Sequence, residues 1–535
     1  MRIVRRRATI GAICLLLAVL HTWPLAANPG RHSRNDNGDA QLNEWIMAWV
    51  AHQLPRDPAH LFEANIFYPA HDALAFSEPL IVPALLGAPL AWLGASPVLV
   101  YNLMLIAGFA LTAFAGYLLI ESWTGDPIAG LLTGSTFAFN THTLTRLAHI
   151  QGIHIYGLTL ALLMTDRLIR DGSWRHALLL AGCVVVLAYT SGYLVVFATV
   201  MVAIAVIVRW REWWGPRART VVPLFVLAAA VTTIAVLPVY LPYRRVAETQ
   251  HMVRTLDIVR DYSATPKGYL ASAGRMHMAT WSGSFFKDPV DSFFPGVVVL
   301  VLTVVALVAA LRRREWRPRV LMLTAIAAAG FVLSLGTATP VYGWLFAVFP
   351  PMQGLRAAAR FGNLFLLGTA VLAGVGLTVL RGKQWIAIAL VVLANIEALR
   401  APFEYRDFTG IPGIYRMLAD EPGPVVLAEQ PFYPRFAVFE NAPYVLASTA
   451  HWRPLMNGYS GYTPESYQRY ADLFWYFPEE SAIQAMKDAG VTYVMLHPHA
   501  FNRDADLVVQ RVSKRTDMDL LAVGPGGIRL YRLKR

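Results

Sequence analysis

The sequence predicts an α-helical polytopic membrane protein with about 11 transmembrane helices and a small C-terminal extracytoplasmic α/β domain. Three observations lead to this fold class. Hydrophobic residues make up 56% of the 535 positions and charged residues only 15%, whereas soluble domains carry about a quarter charged residues. Apolar runs long enough to cross a bilayer recur as far as residue 400. Beyond residue 400 the apolar runs shorten to the length of β-strands.

The candidate membrane spans are apolar segments separated by basic or polar turns. They are residues 8–26, 77–95, 97–121, 127–141, 149–165, 175–190, 192–209, 220–241, 293–312, 319–337, 363–381 and 384–400. The net charge of +12 comes from Lys and Arg concentrated at segment ends, which orients spans and does not suggest nucleic-acid binding. By the positive-inside rule, residues 209–219, 312–319 and 381–383 are expected to be cytoplasmic. The N-terminus is therefore predicted inside and the C-terminus outside.

One segment conflicts with this sidedness. If residues 8–26 lead outwards, only two of the next three segments can cross fully before residues 149–165 enter from outside. Residues 127–141 are short and carry Gly134, Ser135, Thr136 and Asn140, so we expect a re-entrant segment or half-span there. The predicted organisation is a transmembrane domain over 1–400, with outer loops 27–76 and 242–292, and an extracytoplasmic domain over 401–535.

The N-terminus resembles a signal peptide, with Arg5-Arg6-Arg7 before an apolar stretch and Leu25-Ala26-Ala27 at its end. We expect an uncleaved signal-anchor, because the following loop is expected to stay beside that N-terminal helix. The two cysteines, Cys14 and Cys183, lie in apolar runs and imply no disulfide or metal framework.

Residues 401–535 alternate strand-like and helix-like stretches, which favours a small α/β domain. Residues 423–428 and 491–496 are the clearest strand patterns, and residues 478–489 form a helical pattern between them. The run Gly524-Pro525-Gly526-Gly527 indicates a hairpin turn rather than a phosphate-binding loop.

Two carboxylates open the first outer loop, in the run Asn35-Asp36-Asn37-Gly38-Asp39. Leu42, Trp45, Ile46 and Trp49 then recur at helical spacing, which predicts a helix lying on the membrane surface. Carboxylates in this position can act as a general base or can bind a divalent metal, and their spacing does not choose between these roles. The alternative is a solvated loop in which Asp39 only caps the helix.

Basic and imidazole side chains form two further clusters on the predicted outer face. His142, Arg146, His149, Gln151 and His154 lie at the mouth of the 149–165 span, where ionisable groups usually face a cavity. Arg146 and His149, three apart, are expected to share a helix face. The alternative is an interfacial polar belt in which the histidines hydrogen-bond to carbonyls.

The second cluster is the run 353–361, where Arg356 and Arg360 are expected on one face of a helix. Arginines on an outer loop depart from the positive-inside trend, so we expect an anionic partner, either a lipid-linked phosphate or the acidic loop. The loop 242–292 adds further basic and aromatic residues. Zinc-finger spacing, a serine elbow and a P-loop are all absent from the sequence.

The order of these features resembles the GT-C superfamily of integral-membrane glycosyltransferases, which take a sugar from a polyprenyl-phosphate or polyprenyl-pyrophosphate donor. Three segments are similar to bacterial multi-pass proteins near the YfhO-like and protein-mannosyltransferase-like groups. They are residues 57–69 (DPAHLFEANIFYP), 359–361 (ARF) and 452–461 (WRPLMNGYSG). The chain departs from the superfamily's clearest pattern, because Asn37 separates Asp36 from Gly38-Asp39 and no tight acidic pair remains.

The resemblance implies roles for particular residues. The catalytic base falls on Asp36 or Asp39, with Asp39 preferred because it borders the helix. The other roles are carried by two sets of side chains: donor phosphate binding by Arg146, His149, His154, Arg356 and Arg360, and acceptor binding by Trp452, Tyr459 and Tyr462.

These roles predict a glycosyltransferase of the bacterial inner membrane, acting on its outer face. Its expected partners are a polyprenyl-phosphate-linked sugar, membrane lipid and a glycan or protein acceptor, without nucleic acid. No cofactor other than a divalent metal at the carboxylates is suggested. The alternative is a non-catalytic transporter or assembly factor for cell-surface glycans, although the sequence shows no internal repeat of the kind that transporters often carry.

Overall fold

The computed structural model describes residues 2–34, 37–252, 254–285 and 292–534. Each of the predicted spans contains a helix, and the first outer loop forms the predicted helix, Gly38–Gln53, whose position on a membrane surface stays a prediction. The α-helices of 12 residues or more are Arg2–His21, Gly38–Gln53, Ile81–Trp92, Pro97–Thr124, Pro127–Ala138, Tyr156–Asp171, Trp174–Ala188, Gly192–Val208, Ala218–Thr249, Val297–Arg312, Arg317–Ser334, Gly362–Leu377 and Gln384–Ala398.

Within the described ranges, four helices are long and apolar enough to cross a membrane. They are Pro97–Thr124, Gly215–Thr249, Arg314–Ser334 and Ala358–Leu380. Shorter apolar helices are Ile81–Trp92, Trp174–Ala188, Gly192–Val208, Val297–Arg312 and Gln384–Ala398. The expected number of spans, about 11, stays a prediction.

Two of the predicted spans are helices of only 12 residues, Ile81–Trp92 and Pro127–Ala138. Such a helix is about 18 Å long, against a hydrocarbon core of about 30 Å. The sidedness conflict therefore has two candidate solutions, since either segment is too short to cross on its own.

The chain divides into two compact units. Unit 1 comprises Met1–Asn28, Leu103–Val239 and Val253–Glu404, and unit 2 comprises Pro29–Asn102, Tyr240–Met252 and Tyr405–Arg535. Unit 2 thus groups most of the first outer loop with the C-terminal segment. The predicted domain boundary near residue 400 stays a prediction.

Helix Gly362–Leu377 is the core element of unit 1, and nearly all of its residues are buried. It packs against Val297–Arg312, Arg317–Ser334 and Pro127–Ala138. Glycine permits this close packing: a Cβ on Gly376 would collide with the carbonyl of Leu302, and one on Gly374 with the side chain of Thr133. Small residues at helix contacts are what membrane bundles use in place of a hydrophobic driving force.

A buried ion cluster ties together three helix ends of unit 1. Asp166 is 1% exposed and lies 2.5 Å from Arg209 Nη1 and 3.1 Å from Arg319 Nε. Arg209 and Arg319 come from two of the segments whose positive charges predict a cytoplasmic position, 209–219 and 312–319. Their shared contact with Asp166 supports a common face for these two segments, because charges buried in a protein need partners.

Unit 2 contains a four-stranded sheet formed entirely by the C-terminal segment. Strand Leu427–Gln430 pairs in parallel with Tyr493–Leu496, which pairs antiparallel with Arg529–Leu533. Strand Met518–Val523 pairs antiparallel with Arg529–Leu533 and forms the other edge of the sheet. The predicted hairpin turn at residues 524–527 joins the last two strands. Helices Glu465–Phe474, Glu480–Asp488 and Ala505–Ser513 connect the strands. A two-residue antiparallel bridge also pairs His32–Ser33 with Arg406–Asp407.

Candidate functional site

Asp39 lies in the first turn of the helix Gly38–Gln53 in unit 2. The Asn37 side chain caps this helix by accepting a hydrogen bond from the Asp39 backbone N–H at 2.9 Å. The interpretation of Asp39 as the capping residue is therefore wrong, and its carboxylate is left to other partners. The helix N-terminus carries a partial positive charge that favours a carboxylate nearby. Asp36 lies outside the described residues.

Tyr459 donates a hydrogen bond from its hydroxyl to Asp39 Oδ1 at 2.5 Å. The family resemblance implies separate roles for these two residues, base and acceptor contact, and the fold brings them together from 420 positions apart. Gly38 permits the approach, because a Cβ there would lie 3.3 Å from the Tyr459 ring and 3.3 Å from the Phe439 carbonyl. The contact orients the carboxylate of Asp39.

Two of the segments that carry the family resemblance build this part of unit 2 together. The Phe67 N–H donates to Asn457 O at 3.1 Å, and the Tyr68 N–H to Leu455 O at 3.0 Å. Leu455 returns a backbone hydrogen bond to Asn65 O at 2.8 Å. The segment 57–69 is thus a support for the segment 452–461, which carries Tyr459.

The other predicted acceptor residues lie elsewhere in unit 2. The Tyr462 hydroxyl donates to Gln250 O at 3.2 Å, and its ring contacts Phe76 edge-on. Trp452 stacks on His52 with ring centroids 4.2 Å apart and lines a separate cavity.

The remaining acidic side chains of the first outer loop do not converge on one point. Asp72 forms a two-pronged ion pair with Arg245, both bonds measuring 2.8 Å. Glu63 lies 3.2 Å from the His71 ring. Across residues 2–34, 37–252, 254–285 and 292–534, no three His, Cys, Asp or Glu side chains group so as to hold a metal ion.

Arg146, His149 and Arg360 line a single pocket in unit 1, together with His142 and Asn363. Its cavity volume is about 30 Å³, which has room for one or two water-sized groups. No carboxylate is found among the described residues that line it. Guanidinium and imidazole groups around a small cavity suit the oxygens of a phosphate.

The grouping of Arg146, His149 and Arg360 in one pocket does not come from the helices that the residue spacing predicts. Residues 350–361 form two 3₁₀ turns, Pro350–Gly354 and Ala358–Phe361, so Arg356 and Arg360 do not share a helix face. Arg146 and His149 also lie outside a helix and are linked by a turn, in which the His149 N–H bonds to Arg146 O at 2.9 Å. Both helix predictions were wrong, because prolines and short polar turns interrupt these segments.

Tyr193 organises the arginine segment and was missed by sequence reasoning. Its hydroxyl accepts hydrogen bonds from the backbone N–H groups of Arg356 and Ala357, each at 3.0 Å. Its ring faces the Arg360 guanidinium, whose carbon lies 4.5 Å from the ring centroid. The available signal was a tyrosine two residues after the helix cap Ser191, at the start of an otherwise apolar helix.

His154 and Arg356, two other predicted phosphate ligands, are not among the residues lining this pocket. His154 is fully buried, and its Nε2 lies 2.9 Å from Met104 O. This contact matches the alternative in which a histidine hydrogen-bonds to a carbonyl. The Arg356 guanidinium lies over the Tyr262 ring, 5.1 Å from its centroid.

Comparison with known proteins gives a fold and no closer relationship. No family model matches the sequence, and no curated protein matches it. Over 99% of its length the chain is similar to the cryo-EM structure of the arabinofuranosyltransferase AftD from mycobacteria, with a TM-score of 0.60 and 16% identity. The archaeal oligosaccharyltransferase AglB from Archaeoglobus fulgidus, in complex with an inhibitory peptide and a dolichol-phosphate, matches with a TM-score of 0.51 and 12% identity. The chain has the GT-C fold.

This is the fold that the resemblance predicts. The chain covers 40% of AftD and 74% of AglB, so it spans about two fifths of the length of the mycobacterial enzyme. At these identities the comparison concerns the GT-C fold alone, and the role of each side chain has to be argued from its own geometry.

Glu44 lies on the same helix as Asp39, and its raised pKa predicts that the folding stability of the protein depends on pH. Its side chain is buried, and burial raises its pKa to about 8, opposed only by a hydrogen bond from Ser33. Because the folded-state pKa exceeds the ordinary value of 4.5, the stabilisation is fully present below about pH 4.5 and is lost as the pH rises through 8. Glu44→Gln cannot ionise. Its melting temperature should therefore fall less than that of the wild type between pH 6 and pH 9.

Between pH 6 and pH 9 the wild type should lose at most a few kcal/mol more of its free energy of unfolding than Glu44→Gln does. Thermal melting of both proteins at both pH values measures this difference. Glu63→Gln is the matched control, since the Glu63 carboxylate is 39% exposed and pairs with His71. Equal pH dependence in the Glu44 variant and the wild type would mean that Glu44 is not a buried neutral acid.

Proposed function

We propose that this protein is an inverting glycosyltransferase of the bacterial inner membrane, using a polyprenyl-phosphate-linked sugar as donor and a cell-envelope glycan or protein as acceptor. The observation that carries this proposal is the pocket shared by Arg146, His149 and Arg360. The GT-C fold supports the same class of activity, because both similar structures are named as glycosyl-transferring proteins.

The pocket's role is to stabilise the leaving group. When the glycosidic bond breaks, its electron pair goes to the lipid phosphate, whose negative charge increases in the transition state. Preorganised guanidinium groups act most strongly at the point where charge develops. AglB was solved with a dolichol-phosphate, which supports a polyprenyl phosphate as the lipid here. A cavity of about 30 Å³ suits phosphate oxygens, with the sugar and the lipid chain outside it.

Asp39 is the preferred base, with Asp36 as the alternative. Its carboxylate takes the proton from an acceptor hydroxyl, whose oxygen attacks the anomeric carbon as the carbon–oxygen bond to the phosphate breaks. Attack opposite the leaving phosphate inverts the anomeric configuration. Tyr459, bonded to Asp39 Oδ1 at 2.5 Å, holds the carboxylate in place and contacts the acceptor. Trp452 and Tyr462 complete the proposed set of acceptor residues.

Transfer from a labelled donor tests the proposal. The purified protein in proteoliposomes is given undecaprenyl-phosphate carrying labelled arabinofuranose or mannose, with extracted cell-envelope glycan as acceptor. We expect label to move from the lipid fraction to the glycan with inversion at the anomeric carbon. Movement of the intact lipid-linked sugar across the bilayer without transfer would instead identify a transporter and overturn the proposal.

A further inference from the structure

Unit 2 contains a second, larger cavity, of whose lining the proposed function uses only Trp452. Its volume is about 670 Å³, within the range of about 300–1,000 Å³ typical of small-molecule sites. The helix Gly38–Gln53 forms one wall with Glu44 and His52, and Trp92, Arg416 and Trp452 come from three other segments. All of these residues belong to unit 2.

Glu44 gives the cavity a buried polar anchor. The residue is 1% exposed, and its Oε2 has no hydrogen-bond partner among the described residues. Its other oxygen lies 3.5 Å from Ser33 Oγ, which is a long contact for a hydrogen bond. Burial raises the Glu44 pKa to about 8, so at neutral pH the group is mostly a carboxylic acid that can donate a hydrogen bond. A buried polar atom without a partner costs free energy unless a ligand satisfies it.

Two indole rings in the lining are held in fixed positions. The Trp92 N–H donates to Ala51 O at 2.9 Å, although the residue is 58% exposed. Trp452 has a φ of +57°, a strained conformation for a bulky residue, and its backbone N–H bonds to Ser448 O at 2.8 Å. Such strain persists only where the surroundings enforce it, and it concentrates at binding sites.

The neighbouring Arg453 enforces the conformation of Trp452. Its guanidinium donates to three backbone carbonyls, those of Leu418, Ala419 and Glu421, at 2.8–3.0 Å. His52 stacks on the Trp452 ring, and burial, with Arg56 nearby, lowers the pKa of His52 to about 4, which leaves the imidazole neutral. The ring of Trp452 is thus positioned before any ligand arrives.

We propose that this cavity is a carbohydrate-binding site, in which the indoles of Trp92 and Trp452 contact the apolar faces of sugar rings and Glu44 hydrogen-bonds to a hydroxyl. Sugars combine apolar ring faces with a rim of hydroxyls, which matches rigid aromatic walls with a few fixed polar groups. Arg56 and Arg416 add donors for ring or hydroxyl oxygens. The inference rests on the proposed function only in taking this carbohydrate to be the acceptor glycan.

Binding measured without any lipid-linked donor tests this site separately from the transferase reaction. The intact protein in nanodiscs is titrated by calorimetry with methyl glycosides and linear trisaccharides of arabinofuranose and mannopyranose. We expect saturable binding of at least one trisaccharide. Trp92→Ala and Trp452→Ala should each weaken it about tenfold or more, in line with the loss of a stacked aromatic contact.

Substitutions at Glu44 separate hydrogen bonding from packing. Glu44→Gln keeps a donor and should bind within about threefold of the wild type, whereas Glu44→Leu should lose about tenfold or more. Trp475→Ala is the matched control, because that tryptophan is 61% exposed in unit 2 and does not line the cavity. Melting temperatures identify variants that fail to fold.

Two results would overturn the site: no saturable binding of any probe to the wild type, or the same loss in Trp475→Ala as in Trp92→Ala. Saturable binding that depends on Trp92 in a protein that transfers no sugar would leave the site standing and overturn the proposed function. The two proposals therefore fail through different measurements.

Discussion

Arg360→Ala is expected to lower kcat/KM for transfer from a polyprenyl-phosphate-linked sugar by about 10- to 100-fold. A hydrogen bond to a charged group contributes about 1.5–3 kcal/mol, and each 1.4 kcal/mol corresponds to a factor of ten. The guanidinium of Arg360 lines the proposed phosphate pocket and is positioned over the Tyr193 ring. Because the phosphate gains charge as the bond breaks, we expect kcat to fall as well as donor affinity.

Arg360→Lys should recover only part of this loss. Lysine keeps the positive charge but lacks the planar fork that binds two phosphate oxygens, and it stacks less well on Tyr193. Initial rates at varied donor concentration, with labelled donor in proteoliposomes, separate kcat from KM for each variant.

Arg356→Ala is the matched control, four residues earlier on the same segment. Arg356 does not line the pocket, and its guanidinium lies over Tyr262. Its removal should change kcat/KM by less than about threefold, as expected for a half-buried cation–π contact of modest energy. An equal or larger loss in Arg356→Ala would show that the pocket formed by Arg146, His149 and Arg360 is not the donor site.

The helices of this protein were largely predictable because each depends on a local pattern. Runs such as 97–121 and 363–381 are apolar over a bilayer's thickness, and the structure has the helices Pro97–Thr124 and Gly362–Leu377 there. The expectation for 353–361 was wrong for an equally local reason: Pro350 and Pro351 begin a 3₁₀ turn, and the chain is extended at Leu355. Two arginines four residues apart share a helix face only where the backbone between them is helical.

The candidate site was predictable in its residue types but not in its grouping. Arginine and histidine near a predicted span are expected to face a cavity, and Arg146, His149 and Arg360 line one. No local pattern could separate them from His154 or Arg356, because the pocket joins segments about 200 residues apart. Glu44 was similarly hidden, since its neighbours in sequence are ordinary for a surface helix and only the fold buries it.

Asp39→Asn is expected to reduce kcat by about 10²- to 10⁴-fold, the usual contribution of a positioned general base. Asparagine is nearly isosteric, and its amide oxygen can still accept the hydrogen bond from Tyr459. The fold and the acceptor site should therefore survive, and KM for the donor should change little. A labelled-donor assay at saturating acceptor measures kcat and the KM for the donor. A thermal melt of each variant shows whether its fold is intact.

Asp36→Asn is the matched comparison, with the same substitution three residues earlier in the same loop. If Asp39 is the base, Asp36→Asn should keep most of the activity, and a loss confined to Asp36→Asn would move the role to that residue. Full activity in both single variants and in the double variant would exclude both Asp36 and Asp39 as the catalytic base.

Tyr459→Phe distinguishes a base from a structural carboxylate at Asp39. The variant removes the hydrogen bond at 2.5 Å but leaves the carboxylate able to take a proton. If Tyr459 only orients Asp39, the expected loss in kcat is about 10- to 100-fold and smaller than in Asp39→Asn, because one neutral-to-charged hydrogen bond contributes about 1.5–3 kcal/mol. Equal losses in Tyr459→Phe and Asp39→Asn, accompanied by equal falls in melting temperature, would mean that the pair stabilises unit 2 and that the proton goes elsewhere.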